Sequence, residues 1–272
     1  MPRKTVMVIS DLHCGHLVGL TPPSRHATLA KSASESQKKL EAVRQELWRL
    51  FALEVKKRPT PDILIVNGDS LDGDGGRSGG TELLVLDLQD QAYMAAEIIK
   101  FTKAPKVYHT FGTPYHTGVT TDFERVTMHE VSKADHVEVA ELKSHLYLDI
   151  NGVLFDCKHK VGSSGIPHGR RTALEREKLW AGLWADAGVS KRPDVLIRSH
   201  VHYAGYCGGR DYLCMTTPAL QGLGSKYGAR QCSGLVDWGF TWFEVDETGG
   251  YSWEFVTPTE ANKAQKVDIL KA

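Results

Sequence analysis

No stretch of this 272-residue chain approaches the ~20 consecutive apolar residues that a membrane-spanning helix needs, which excludes a helical membrane protein. The opening MPRKTVMVIS has a basic flank, but its apolar run is too short for a secretory signal and ends at Asp11. Cysteine is scarce. There are five, at positions 14, 157, 207, 214 and 232, and no two have CxxC spacing. That excludes a secreted disulfide framework and a cysteine-built structural zinc site, and the expected setting is a reducing cytoplasm. An excess of charge is also missing, with 33 Lys and Arg against 33 Asp and Glu. Sequence-blind nucleic-acid coats need surplus cations to neutralise phosphates, so that class is excluded, although a local basic groove is not. No repeat, low-complexity tract or linker interrupts the chain. The expectation is one domain over residues 1–258 and a loose polar tail at 259–272.

What is present alternates. TVMVIS at 5–10, DILIV at 62–66 and KVYHTFG at 106–112 are short apolar runs of the kind that form buried strands. Between the first two, Leu40, Val43, Leu47, Leu50, Phe51 and Val55 recur at spacings of three and four. That is the stripe of an amphipathic helix, whose charges are expected only to solvate its outer face. Further helices are expected over 82–101 (Leu84, Leu88, Ala92, Ala95, Ile99), about 121–133, and 171–187 with Leu174, Leu179, Leu183 and Trp184 as its stripe. Strands then crowd together: HVEVA, SHLYLDI and VLFDCKH, with Asn151-Gly152 as a hairpin turn, and later DVLIRSH, YLCMTTP, LVDWGFTWFEV and YSWEFV. Trp238, Trp242 and Trp253 read as core side chains. Helices between strands early and strand after strand late point to an α/β fold with mixed sheets.

The chemistry gathers where strands end. Asp11 and His13 follow the first, Asp69 and Asp72 the second, and Thr113 and His116 the third. His159 follows VLFDC, and His200 and His202 follow DVLIR. In open α/β sheets the carboxyl edge of the strands is where ligands bind. Carboxylates mixed with neutral imidazoles form a donor set that suits Mn, Fe, Zn or Co better than Ca or Mg. Two such ions roughly 3.5–4 Å apart activate water and clamp a transferring phosphoryl group.

DLH at 11–13, GDSLD at 68–72, His159 in KHKVG and SHVH at 199–202 resemble, in this order, the blocks of the calcineurin-like metallophosphoesterases. The resemblance implies a four-layer sandwich of two packed mixed β-sheets flanked by helices. It implies that Asp11, His13, Asp69 and His202 hold one ion, and that His159 and His200 hold a second, with Asp69 bridging. Asp72 would orient a ligand from behind. One or two divalent transition ions per chain are implied, Mn first, with Zn, Fe, Co or Ni as alternatives.

One block departs from the family pattern of Gly-Asn-His. Here Gly112-Thr113-Pro114-Tyr115-His116 puts Thr113, a poorer neutral ligand, at the asparagine position and delivers the histidine two residues late. The second ion is therefore the one in doubt. GTPYHTG and TTPALQGLGSKYG resemble, more loosely, a phage-encoded branch of the family, which implies action in a host cytoplasm. His168, Arg170 and Arg171 before a helix, and Lys226 in GLGSKYGARQ, are candidates for binding substrate phosphate or equally for ordinary solvated surface. His16 and Asp74 stand beside the ligands in sequence, and Cys14 reads as a buried neighbour. The implied activity is metal-dependent hydrolysis of a phosphate ester by a metal-bound hydroxide, with Asp69 and His116 as the catalytic pair of residues and His116 assisting a proton. A phosphodiester, with DNA or RNA as candidate substrate, is the first expectation. Phosphomonoester hydrolysis, on a protein or nucleotide, and a catalytically degenerate metal-binding interaction module both stay open. No membrane partner is expected, and oligomeric state is left open.

Overall fold

The computed structural model describes residues 2–26, 34–76, 78–117, 122–223 and 236–264. Four parallel strands come first: β1 (Lys4–Ile9), β2 (Ile63–Asn67), β3 (Lys106–Thr110) and β4 (Val139–Lys143). The next five, β5 (Leu146–Ile150), β6 (Val153–Cys157), β7 (Val195–Arg198), β8 (Gly205–Gly208) and β9 (Leu213–Thr216), form a second sheet in the order β5-β6-β7-β9-β8. β10 (Phe240–Val245) and β11 (Tyr251–Val256) then return to the first sheet, giving β11-β10-β1-β2-β3-β4. Both sheets are mixed, since β10 runs antiparallel to β1 and β5 antiparallel to β6.

The unbroken apolar run of β1 follows from burial on both faces. Val6 and Val8 point into a core shared with Phe155, Val195 and Ile197 of the second sheet. Met7 and Ile9 point the other way, into a core with Leu47, Leu50 and Phe51. Those three belong to α1 (Glu35–Lys56), which starts in a reciprocal cap between Ser34 and Gln37. α2 (Leu88–Phe101), a single turn α3 (Pro114–Thr117) and α4 (Phe123–Ser132) follow, and α2 and α4 pack on the same face as α1. α5 (Arg170–Asp186) covers the outer face of the second sheet through Ala173, Leu174 and Ala181. The layers are thus helix, sheet, sheet, helix, which is the architecture expected. Each fully buried side chain the size of Phe51 stabilises this stack by about 1.5–3 kcal/mol.

Four expectations are corrected, and one strand was not anticipated. The helix expected from residue 82 begins at Leu88, because the Asp87 carboxylate accepts from the Asp90 amide and caps it there. Residues 82–87 instead run as a loop, in which the Leu84 amide bonds Gly15 O at 2.7 Å. The charges of α1 are not all solvation. Glu41 and Arg44 are buried, joined at 2.6 Å, and Arg44 also donates to Leu17 O. In α5 only Leu174 of the expected stripe faces inward, while Leu179, Leu183 and Trp184 are exposed. The stretch read as a loose tail opens with α6 (Thr259–Ala264), whose Ala261 is buried in the α1 core. Finally β8, sequence GYCG, carries no apolar signal and is a strand only by pairing with β9.

Candidate metal centre

The carboxyl ends of β1, β2, β6 and β7 meet at one edge, and the backbone bends sharply to turn their side chains together. Asp11, His13, Asp69, His200 and His202 all have positive φ, between 46° and 74°. A non-glycine residue in this region costs on the order of 1–3 kcal/mol and persists only where its surroundings hold it. Here backbone bonds do so. Asp11 N donates to Gly68 O, His13 N to Asp69 O and Cys14 N to Ser70 O, each within 3.1 Å. Gly68 is required at its position, since φ is +82° and a Cβ would lie 2.5 Å from the His159 ring.

The side chains form two lobes around Asp69. In the first, Asp11, His13 and His202 offer donor atoms close to one another. Asp11 Oδ1 is 3.3 Å from His202 Nε2, and His202 Nε2 is 3.3 Å from His13 Nε2. In the second, Asp69 Oδ2 lies 2.8 Å from His159 Nε2 and 3.7 Å from His200 Nδ1. His116 comes to the first lobe, grouped with His13 and Asp69, its Nε2 4.0 Å from Asp69 Oδ2. Thr113 comes to the second. Its hydroxyl is 3.2 Å from Asp69 Oδ2 and 3.3 Å from His200 Nδ1, and its amide donates to Asp69 Oδ1.

Three imidazoles have their tautomers fixed from behind. A carbonyl or carboxylate oxygen facing Nδ1 accepts from it, which makes Nε2 the nitrogen presented to the cluster and, in the neutral ring, the one with the lone pair. His13 Nδ1 donates to Asp72 Oδ1 at 2.9 Å, His159 Nδ1 to Asn67 O at 2.7 Å and His116 Nδ1 to Asp72 O at 2.6 Å. Burial alone would raise the Asp11 carboxyl, yet His202 and then His159 pull it down to about 2. Burial opposes the Asp69 charge as well, and His159, His200 and His116 hold that carboxyl well below its ordinary value. Burial, with His116 and His202 beside it, keeps His13 well below the usual imidazole value and so neutral, as a ligand must be. His159 differs. Burial works against its charge, but Asp69 and then Asp11 raise it to about 10.

The donor set fits a cation. Asp11 Oδ1 and His159 Nε2 are buried without a well-formed hydrogen bond, their neighbours being His202 Nε2 at 3.3 Å and Asp69 Oδ2 at 2.8 Å. Buried polar atoms are almost always well satisfied, and a coordinating ion would complete both.

Several supporting residues were not legible in the sequence. Glu124 of α4 is fully buried and accepts from the Ser70 and Gly112 amides, tying the Asp69 loop to the Thr113 loop. Burial raises its carboxyl to about 7. Gln91 of α2 accepts from the Asp72 and Gly73 amides. Ser199 joins Asn67 and Thr217 through a buried hydroxyl. The one available signal was a polar residue interrupting an otherwise apolar helix face, as at Gln91.

His16, another candidate, is buried near Asp72, its Nδ1 accepting from the Val18 amide and its Nε2 3.9 Å from Glu82, and Asp74 is exposed and caps its own turn at Gly76. Asp72 is buried with its carboxyl raised by that burial, and Cys14 is buried. Arg170 lies over the Tyr203 ring at 4.2 Å, one residue along from His202, while His168 and Arg171 are exposed. Lys226 lies outside the described residues. A cleft of about 450 Å³ beside Arg58, Trp242 and Trp253 lies toward the opposite end of β1, since its Glu244 pairs with Thr5.

No protein-family model and no curated protein matches the chain. Among solved structures it is similar to a Streptococcus pneumoniae protein described as a predicted phosphoesterase, at 13% identity over 94% of this chain and 91% of that one, with a TM-score of 0.39. An archaeal phosphodiesterase is 13% identical over 92% of this chain and 98% of that one, with a TM-score of 0.42. Vps29 of Entamoeba histolytica in complex with Zn²⁺ is 17% identical over 93% and 98%, with a TM-score of 0.40. Likenesses this distant carry no chemistry across to this chain. What it holds by its own geometry is an Asp and His cluster drawn from both sheets, with the Nε2 atoms of His13, His116 and His159 directed into it.

Proposed function

We propose that this protein is a metal-dependent phosphoesterase acting on phosphodiesters, with nucleic acid as the candidate substrate, in a cytoplasmic setting with Mn as the first-choice ion. The observation that carries the reading is the convergence of Asp and His donor atoms in two groups about Asp69, Asp11 with His13 and His202 on one side and His159 with His200 on the other. Asp11, His13, Asp69 and His202 would hold one ion, and Asp69, His159 and His200 a second. Such ions supply Lewis acidity, making water acidic enough to attack at neutral pH and offsetting the charge of the phosphoryl group.

The residues of the chain do the rest. Asp72 holds His13 and His116 in one tautomer each, through its side chain and its carbonyl. His116 Nε2, half-buried at the rim, is thereby placed to exchange a proton with an ester oxygen. Arg170 at Tyr203 is a candidate contact for a phosphate oxygen. Thr113 motivates a second reading, a metal-binding module without turnover, because its hydroxyl is a short neutral donor in the lobe of the second ion.

Hydrolysis of bis-p-nitrophenyl phosphate and of p-nitrophenyl phosphate, with added Mn²⁺, separates these readings. The expected result is diester turnover that falls by more than about 100-fold in Asp69→Ala, beyond the usual loss for an outer partner of a ligand. Preference for the monoester would overturn the diester assignment. Ion uptake without turnover of either substrate would favour the binding module.

A further inference from the structure

The helix α5 is built inside out. Its inner face carries mostly small residues, Ala173 and Ala181 beside Leu174, against Leu196 and Cys214 of the second sheet. Its large apolar side chains point outward: Leu179 is 61% exposed, Trp180 55%, Leu183 48% and Trp184 45%, and Val189 in the turn beyond is 71% exposed. His145 lies beside the Trp184 ring at 6.2 Å, and about half of each of these side chains stays exposed. A helix that is apolar on both faces is ordinarily covered on both, and an exposed patch that groups two tryptophans with two leucines marks a contact with another molecule.

The order of these residues says which molecule. The segment Leu179-Trp180-Ala181-Gly182-Leu183-Trp184 is close to self-complementary when a copy is laid antiparallel on it. About a two-fold axis between positions 181 and 182, Leu179 faces Trp184 and Trp180 faces Leu183, so each indole meets a leucine. The charges agree. Arg176, exposed before the stripe, has no ion pair among the described residues, and Asp186 after it is exposed and paired through Oδ1 with Arg192 at 2.5 Å, an arrangement that a second cation from a partner copy would share. The same two-fold axis sets Arg176 next to Asp186 of the other copy, whereas a parallel arrangement sets like against like. We propose that α5 is a self-association face, through which two copies of the chain form a symmetric dimer with their α5 helices antiparallel.

Two-fold dimers of this isologous kind are the commonest closed assemblies. Specific interfaces bury roughly 800 Å² per partner, and one helix face supplies only part of that. The dimer therefore belongs at the weak end, with a dissociation constant of roughly micromolar order. Self-association of this kind is independent of any metal chemistry at the strand ends.

Sedimentation velocity over roughly 1–100 µM brackets that constant. The wild type is expected to move from monomer to dimer across the range. Trp184→Glu and Leu183→Ser, both at exposed positions, are expected to raise the dissociation constant at least about tenfold, as buried interface anchors do. Far-UV circular dichroism and the thermal midpoint confirm that each variant is folded. The register has its own test. Arg176→Glu weakens the dimer, and adding Asp186→Arg restores it. A wild type that stays monomeric throughout overturns the proposal, as does a dimer indifferent to Trp184→Glu. A swap that fails to restore overturns the antiparallel register. A monomer that binds phosphatidylserine vesicles, and loses that binding in Trp184→Glu, assigns the face to a lipid surface instead.

Discussion

Thr113 is the residue on which the proposed second ion would depend. Its amide already holds Asp69 Oδ1, and its hydroxyl sits 3.3 Å from His200 Nδ1, so a donor is present there but on a short stem. An amide oxygen at the same position reaches one atom further and is the better neutral donor. Thr113→Asn is therefore expected to tighten uptake of the second equivalent of Mn²⁺ by about tenfold, the lower end of what a change beside a metal costs or gains. Thr113→Val is expected to weaken it by a similar factor. Isothermal titration of metal into apoprotein reads both, and indifference of the second equivalent to either change would remove Thr113 from the site. The residue's role was only half legible. The resemblance sets Thr113 where the family pattern has asparagine, but the side on which His116 would arrive depended on α3, a single turn that carries it to His13 and not to His200.

Among the elements, β7 shows how a buried charge supports the site. Arg198, the last residue of that strand, is buried and donates to Asp156 Oδ1 at 2.8 Å and to Glu177 of α5 at 2.9 Å. It precedes Ser199 and His200 directly. Arg198→Ala leaves Asp156 without its cation and is expected to cost about 3–5 kcal/mol in urea denaturation. The pH dependence has a definite sign. Burial would raise the Asp156 carboxyl, but His145 and then Arg198 hold it below its ordinary 3.8. A depressed carboxyl contributes stability that is present above 3.8 and lost as pH falls through the lower folded value. The stability gap between the wild type and Asp156→Asn is thus expected to be full at neutral pH and to close below pH 3.8. A gap that widened in acid would contradict the assignment. Strands such as β1 and β2 were legible because burial on both faces leaves a continuous apolar run. The apolar spacing of α5 gave its existence and not its inner face, because periodicity reports that a helix has apolar residues and not what lies opposite them. Arg198, Glu41 and Arg44 were not legible at all, since a buried ion pair and a solvated one look alike in sequence.

On the scale of the whole molecule, the site is a seam. Asp11, Asp69 and Thr113 come from the first sheet, and His159, His200 and His202 from the second. Elsewhere the sheets are joined by apolar packing, as where Phe155 meets Phe243 edge to face at 5.3 Å. At the seam, by contrast, buried carboxylates and imidazoles take the place of that packing. An ion that binds the folded cluster and not the unfolded chain stabilises the fold by RT ln(1 + [L]/Kd), about 2.7 kcal/mol at a hundredfold excess over Kd. For a chain of this size that corresponds to a rise of roughly 5–10 °C in thermal midpoint. Mn²⁺ is therefore expected to raise the midpoint of the wild type by that amount and EDTA to reverse it. Asp69→Ala, which removes the carboxylate shared by both lobes, is expected to show no response. A folded wild type whose midpoint ignores Mn²⁺, Zn²⁺, Fe²⁺, Co²⁺ and Ni²⁺ would mean that the strand-end cluster is satisfied by its own internal pairs, and the metal reading would fall with it. A response confined to His202→Ala and absent from His159→Ala would instead assign the stabilising ion to the second lobe, because only the intact lobe can still bind.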